Sequence, residues 1–347
     1  MITFVTSRLF LIIFSYLFLL SLTFCNSIPV SSSNEFYFLQ NWSKDEVRIV
    51  PAKFDERKFV IAQLEAVQKI NMLLMGSSRI MEVDSNLFRE DVNMFNSSIS
   101  VGVIQDFAAI WQGLKNQSKI PEYFIISLDP WVFNKNNRRN EWRSNQKLYD
   151  QFLNHVKISK WEMWKHSLFS PPKKPNDWSV VPESEMKSTQ RGKRGDGSFV
   201  FERPIPRSDQ DRYVRGEAQK YLQGCIFSIC DWEFDEHQYQ VLVQLLQEIQ
   251  SQGGKVLLIL PPYHPLVYNK LYQANDSYRG ILPGVEQTLT TRLKKEPGLT
   301  FDFCNALNAE AIGCRLDEFT DGMHYQQSCA EKMVKFCAGK FMDGLLR

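Results

Sequence analysis

The chain has no excess charge of either sign: 41 Lys and Arg against 39 Asp and Glu leave +2 over 347 residues. A nucleic-acid binder carries a basic stripe or patch well above such a balance, so no nucleic-acid partner is expected. Histidine is scarce, five in all, and no two stand at HExxH or similar spacing, so neither a catalytic metal nor another cofactor is expected. Glycine (17) and proline (15) are too few for a collagenous or low-complexity chain, and no internal repeat is visible. CxxC pairs, the usual zinc-ribbon ligands, are missing as well.

What is present begins with one long apolar run, residues 9–25 behind Arg8, interrupted only by Ser and Thr. It exceeds an ordinary signal-peptide core and reaches the short end of a spanning helix, and no clear small-x-small cleavage site follows. The expectation is an N-terminal membrane anchor over residues 1–25 with the bulk of the chain periplasmic or at the cell surface, or secreted if the segment is cleaved. Beyond it lie Cys225, Cys230, Cys304, Cys314, Cys329 and Cys337, an even number that suits disulfides in an oxidising compartment. If Cys329 and Cys337 share one helix, they stand about 12 Å apart and cannot bridge each other. The other pairings stay open.

After a linker (26–55) the chain settles into α/β punctuation. A helix over 56–70 leads to the apolar run 72–75, closed by Gly76-Ser77-Ser78. A second run, 92–95, precedes a helical pattern over 104–114, and 123–128 is a buried-strand run stopped by Asp129-Pro130. Residues 135–215 break the pattern as a polar insertion rich in Trp, Pro and Arg, with 18 Lys/Arg against 10 Asp/Glu. A helix with Tyr239, Leu242, Val243, Leu246 and Ile249 on one stripe then leads to strand 256–260 and Pro261-Pro262-Tyr263-His264-Pro265. Helix 285–293, strand 299–303 and a last helix, from a capping box at Ser328-Cys329-Ala330-Glu331 to about 345, complete the order. Strands alternating with helices imply an α/β fold in three layers, α/β/α, with a mostly parallel sheet built from 56–134 and 216–347. Such sheets hold ligands at the carboxyl ends of their strands.

Two blocks at those ends carry chemistry. Ser77 and Ser78 follow the first core strand, and Asp321-Gly322-Met323-His324 stands between the last strand and the final helix. A serine hydroxyl is inert until a histidine takes its proton, and that histidine needs a carboxylate to hold its tautomer. Asp-x-x-His in a loop supplies both. The combination resembles the SGNH hydrolase superfamily, a flavodoxin-like fold whose nucleophile follows strand one and whose Asp-x-x-His block lies near the C-terminus. Gly76-Ser77-Ser78 is most similar to the form in membrane-anchored extracytoplasmic members such as the teichoic-acid D-alanylation and alginate acetylation proteins.

That resemblance implies Ser78, rather than Ser77, as nucleophile, with His324 and Asp321 completing a triad. By the second block, Phe95 through Gly102, it implies Gly102 as an oxyanion donor. The third block departs: Asp129 stands where a donor is usual, and an ionised carboxylate donates nothing, so Asn134 or the backbone is the expected substitute. His264 is a candidate substrate contact. The insertion's Trp142, Trp161, Trp164 and Trp178, interleaved with basic residues, suit sugar stacking. The expected activity is a serine esterase or O-acyltransferase acting on an acylated small molecule or envelope glycan, with a membrane acyltransferase as possible partner. The alternative is a catalytically silent glycan-binding protein on the same fold.

Overall fold

The short apolar runs form strands buried on both faces, as a parallel sheet requires. In chain order the strands are β1 (Glu46–Ile49), β2 (Met72–Met75), β3 (Met94–Asn96), β4 (Tyr123–Ser127), β5 (Val180–Pro182), β6 (Gly192–Arg194), β7 (Phe199–Val200), β8 (Lys255–Leu260) and β9 (Asp302–Asn305). The α-helices are α1 (Glu56–Ala66), α2 (Ile104–Asn116), α3 (Gln146–Leu153), α4 (Gln210–Leu222), α5 (Glu236–Ser251), α6 (Pro265–Gln273), α7 (Ile281–Gln287) and α8 (Gln327–Ala338). This computed structural model describes residues 46–50, 54–154, 179–187, 189–201, 210–223, 229, 231–273, 281–339 and 344–347. All belong to one compact unit, Leu39–Lys157 with Asn176–Arg347.

Five strands form one sheet in the order β3-β2-β4-β8-β9, and every neighbouring pair is parallel. The chain leaves β2 toward β3 on one side and returns to β4 on the other. The ends of β2 and β4 therefore flank the point where strand order reverses, which is where doubly wound sheets bind ligands. Alternate residues feed two cores. Leu73, Met75, Phe124, Ile126, Leu258 and Leu260 join the core that takes in α1, α2 and α5. Met72, Leu74, Ile125, Leu257 and Ile259 join the one that takes in α8. A one-residue slip in any strand would exchange these sets, so register is tightly specified.

Helix starts follow local chemistry. Asp55 accepts the Lys58 N–H at 3.2 Å ahead of α1, and Asp235 accepts the Gln238 N–H at 3.2 Å ahead of α5, each cap being worth about 1 kcal/mol. The last helix differs from the expected capping box. Gln326 precedes it without a side-chain cap, and Ser328 stands inside the first turn instead of at the cap. It stops at Gly339, whose φ of +41° leaves the helical region. Expected helix 285–293 is instead α7 followed by a wider π turn, Thr288–Arg292.

Part of the expected linker and part of the polar insertion pair with each other. Antiparallel strands in the order β5-β1-β6-β7 make a second, small sheet. Val47, Met186 and Val200 form its core. The insertion's charges are not all solvated: Lys193 and Arg194 are 0% and 5% exposed, neutralised by Glu56, Asp84 and Glu183.

The expected transmembrane helix is corrected. No helix among the described residues is long and apolar enough to cross a membrane, and residues 1–25, on which that expectation fell, lie outside them. Two disulfides, Cys304–Cys337 and Cys314–Cys329, agree with an oxidising, extracytoplasmic environment. Cys329 and Cys337 are not joined to each other, and Cys225 and Cys230 lie outside the described residues. With four of seven cysteines paired, thiol titration of denatured, unreduced protein is expected to find at most three. Cys314–Cys329 spans 15 residues, so the Cys314→Ala/Cys329→Ala pair is expected to lose about 3 kcal/mol in denaturant unfolding.

Candidate active site

β2 ends in a turn that has room for no side chain at its first residue. A Cβ on Gly76 would stand 2.5 Å from Ile80 Cγ2 and 2.9 Å from Ser127 Cβ. The turn continues with Ser77, fully buried, and Ser78, half-buried. Ser77 Oγ accepts the Arg79 N–H at 3.2 Å. Ser78 faces the other way chemically: its Oγ lies 2.9 Å from His324 Nε2. The Ser78 N–H has no acceptor among the described residues.

His324 Nδ1 lies 2.8 Å from Asp321 Oδ2. Asp321 Oδ1 accepts the Met323 and His324 N–H groups, both at 2.8 Å, so the three-residue spacing closes on its own backbone. The Tyr221 hydroxyl donates to Oδ2 at 3.1 Å. Burial pushes the Asp321 carboxyl up, but the bonds from His324 and these backbone groups outweigh it and hold it below the ordinary carboxylate range. Since ionised Asp321 accepts from Nδ1, the Nδ1–H tautomer leaves Nε2 free to accept from Ser78. The structure thus joins Ser78, His324 and Asp321 in one hydrogen-bonded chain.

Arg79, next to the serine, is the residue whose role the sequence reading missed. Its side chain is 0% exposed and pairs with Asp129, 1% exposed, at 2.6 Å. It also donates to Met323 O at 3.2 Å, to Pro261 O at 2.9 Å and to Pro262 O. Its guanidinium sits 4.0 Å from the centre of the Tyr263 ring. One cation therefore ties the ends of β2, β4 and β8 to the loop carrying His324. Burial pushes the Asp129 carboxyl up, against the pull of Arg79, while Arg79 stays cationic. The signal was an arginine and an aspartate directly after two neighbouring strands.

The other expected site residues do not meet Ser78 as expected. Gly102 spends its N–H on Ile99 O at 3.0 Å, so it is not free to bind an oxyanion. Glycine is needed there because a Cβ would stand 2.5 Å from Gly76 O. Asp129 is the counter-ion of Arg79, not a substrate group. Asn134 Oδ1 accepts the N–H groups of Asn136 and Glu233 at 3.1 and 3.2 Å, which ties the chain after β4 to the approach to α5. Trp142 packs edge-on against Tyr149, centroids 5.1 Å apart. Trp161, Trp164 and Trp178 lie outside the described residues.

His264 is wholly buried. Its N–H donates to Gly322 O at 3.1 Å and its Nδ1 accepts the Leu266 N–H at 3.2 Å. It braces the Asp321–His324 loop from β8 rather than contacting substrate. The block around Gly102 is clamped too: Ser100 N–H donates to Glu56 Oε2 at 2.8 Å, Arg57 to Ser100 O at 3.2 Å, and Lys193 to Ser98 O at 3.3 Å. Those clamps hold Val101 at φ +50°, a conformation that costs a β-branched residue about 1–3 kcal/mol.

Compared with known proteins, the chain matches no family model and no curated protein.

Two stability predictions come from these buried charges. Asp129→Ala leaves the Arg79 cation without its counter-ion and is expected to cost about 3–5 kcal/mol in denaturant unfolding. Burial, then the nearby Arg215 charge, pushes the His264 imidazole down from 6.5 to about 4. Between those values the unfolded chain holds a proton that the folded chain does not, so stability falls as pH falls. The loss approaches about 3 kcal/mol at the acid end. His264→Gln is expected to flatten that slope; an unchanged slope would assign it to other groups.

Proposed function

We propose that the protein is an extracytoplasmic serine esterase or O-acyltransferase of the SGNH type, with a three-layer α/β/α, flavodoxin-like fold, working through an acyl-Ser78 intermediate. The observation that carries this reading is the Ser78–His324–Asp321 chain at the carboxyl ends of a parallel sheet, beside the strand-order reversal. Ser78 Oγ attacks the ester carbonyl as its proton passes to His324 Nε2, and Asp321 stabilises the imidazolium. The Ser78 N–H, unspent elsewhere, is a donor for the oxyanion. His324 returns the proton to the leaving alcohol, and the acyl group stays on Oγ. Water or a sugar hydroxyl then gives its proton to Nε2 and attacks the acyl-serine; the acyl–Oγ bond breaks, His324 returns that proton to Ser78 Oγ, and acid or a new ester leaves. Hydrolysis and transfer share every step but this last acceptor. Envelope polysaccharide is the proposed acyl partner, on the resemblance of the Gly76-Ser77-Ser78 block to envelope-acylation proteins.

A second reading, a glycan-binding protein with a silent serine, draws on Asp129: the third block supplies a counter-ion where a hydrolase usually has a donor. A fluorophosphonate probe separates the two. The parent protein is expected to label at Ser78 and to cleave short acyl esters. Ser78→Ala is expected to abolish both, and Ser77→Ala to keep some of each. His324→Ala and Asp321→Asn are expected to slow labelling by about three to four orders of magnitude. A folded parent that never labels, or a His324→Ala protein labelling at the parent rate, would falsify the triad and leave the binding reading ahead.

A further inference from the structure

Asp321 Oδ2 has two donors, and only one belongs to its own loop. The second, the Tyr221 hydroxyl at 3.1 Å, comes from the last turn of α4, outside the strand–helix alternation that builds the rest of the site. The ring is seated as firmly as the hydroxyl. A Cβ on Gly322 would stand 3.0 Å from Tyr221 Cδ2 and 2.8 Å from Val267 Cγ2, so the backbone between Asp321 and His324 is pressed between α4 and α6. Burial, then the Asp321 charge, pushes the Tyr221 phenol above its ordinary value, which keeps the hydroxyl protonated and donating.

With Met323 and His324 N–H groups on Oδ1, and His324 Nδ1 and Tyr221 Oη on Oδ2, the carboxylate is bonded by four donors. Two donors on one oxygen compete for its charge. We infer that Tyr221 is a positioning residue for the Asp321–His324 pair: it fixes the carboxylate plane and, by sharing Oδ2, weakens the pull of Asp321 on the imidazole. The consequence is that the strength of the Asp321–His324 hydrogen bond, and with it the basicity of Nε2 toward Ser78, depends on the Tyr221 hydroxyl. This rests on the proposed triad for its catalytic meaning, though not for the coupling itself.

Other charges face the same groups. Glu217 on α4 acts on Tyr221 in the same sense as Asp321, and Arg79 opposes them. Arg215 and Asp211 on α4, together with Asp321, act on His264 next to Gly322. None of these changes in a Tyr221→Phe protein, which removes one oxygen and keeps the ring against Gly322.

The test uses the whole chain with ring-labelled histidine, the His324 signal being assigned by its loss in His324→Gln. In Tyr221→Phe the titration midpoint of that signal is expected to rise by about half a pH unit. The acid limb of fluorophosphonate labelling should move with it, giving about threefold slower labelling on the acid side. Placing 3-fluorotyrosine at position 221, a stronger donor of nearly the same size, is expected to shift the midpoint the opposite way. It also serves if the phenylalanine protein does not fold. An unmoved midpoint in folded variants, with or without a lower melting temperature, overturns the inference and leaves Tyr221 a packing residue. If the midpoints move but the parent never labels, the triad reading fails while the Tyr221–Asp321–His324 coupling stands.

Discussion

The site depends on one buried ion pair. Arg79 and Asp129 are both out of water, and a pair so placed gives up the solvation of two ions for one Coulomb attraction and the hydrogen bonds around it. Here the guanidinium uses its remaining donors on the carbonyls of Pro261, Pro262 and Met323. Those carbonyls come from two loops that the sheet alone brings near each other and does not fix. A hydrophobic pair of similar volume would pack there but would offer those carbonyls no donor, and buried carbonyls without partners are costly. The ion pair is therefore an orienting device: it sets the height of the His324 loop above the serine turn.

Charge is used in the same way elsewhere around the serine. Lys193, Glu56, Arg57 and Asp106 hold the Ser98–Ser100 stretch from behind, Arg57 reaching Asp106 through both carboxylate oxygens at 2.8 and 3.0 Å. Lys193 comes from the small antiparallel sheet and Tyr221 from α4, both beyond the expected limits or at the margin of the α/β core. The segment between β4 and α5 thus supports the site from two sides, with Lys193 and Arg194 turned inward.

The strands were legible because apolar runs flanked by Gly, Pro and Asp have few other folded uses, and Ser78, Asp321 and His324 stood out by chain order and spacing. The buried cations were not. Lys193 and Arg194 sit in a strongly basic stretch, where charge ordinarily means exposure, and only the partners that fold against them remove it. Ser328 illustrates a different limit. Its capping box was sound as local chemistry, but the helix begins at Gln327, so Ser328 stands inside the first turn and not at the cap. Asp129 was noticed as a departure from a donor pattern, while its complement, one residue beyond the serine, was in plain view. Local signals name groups and spacing; they do not say which distant group will answer them.

The hydrogen bond between Ser78 and His324 joins residues 246 positions apart. Every parallel strand between them must be wound in before the two meet, and contacts of such separation form late because chain closure is opposed by entropy until the sheet is there to reward it. A chain that has not closed the sheet holds the Ser78 hydroxyl and the His324 imidazole apart. Their meeting is consequently a property of the finished topology, written in no local stretch of the chain.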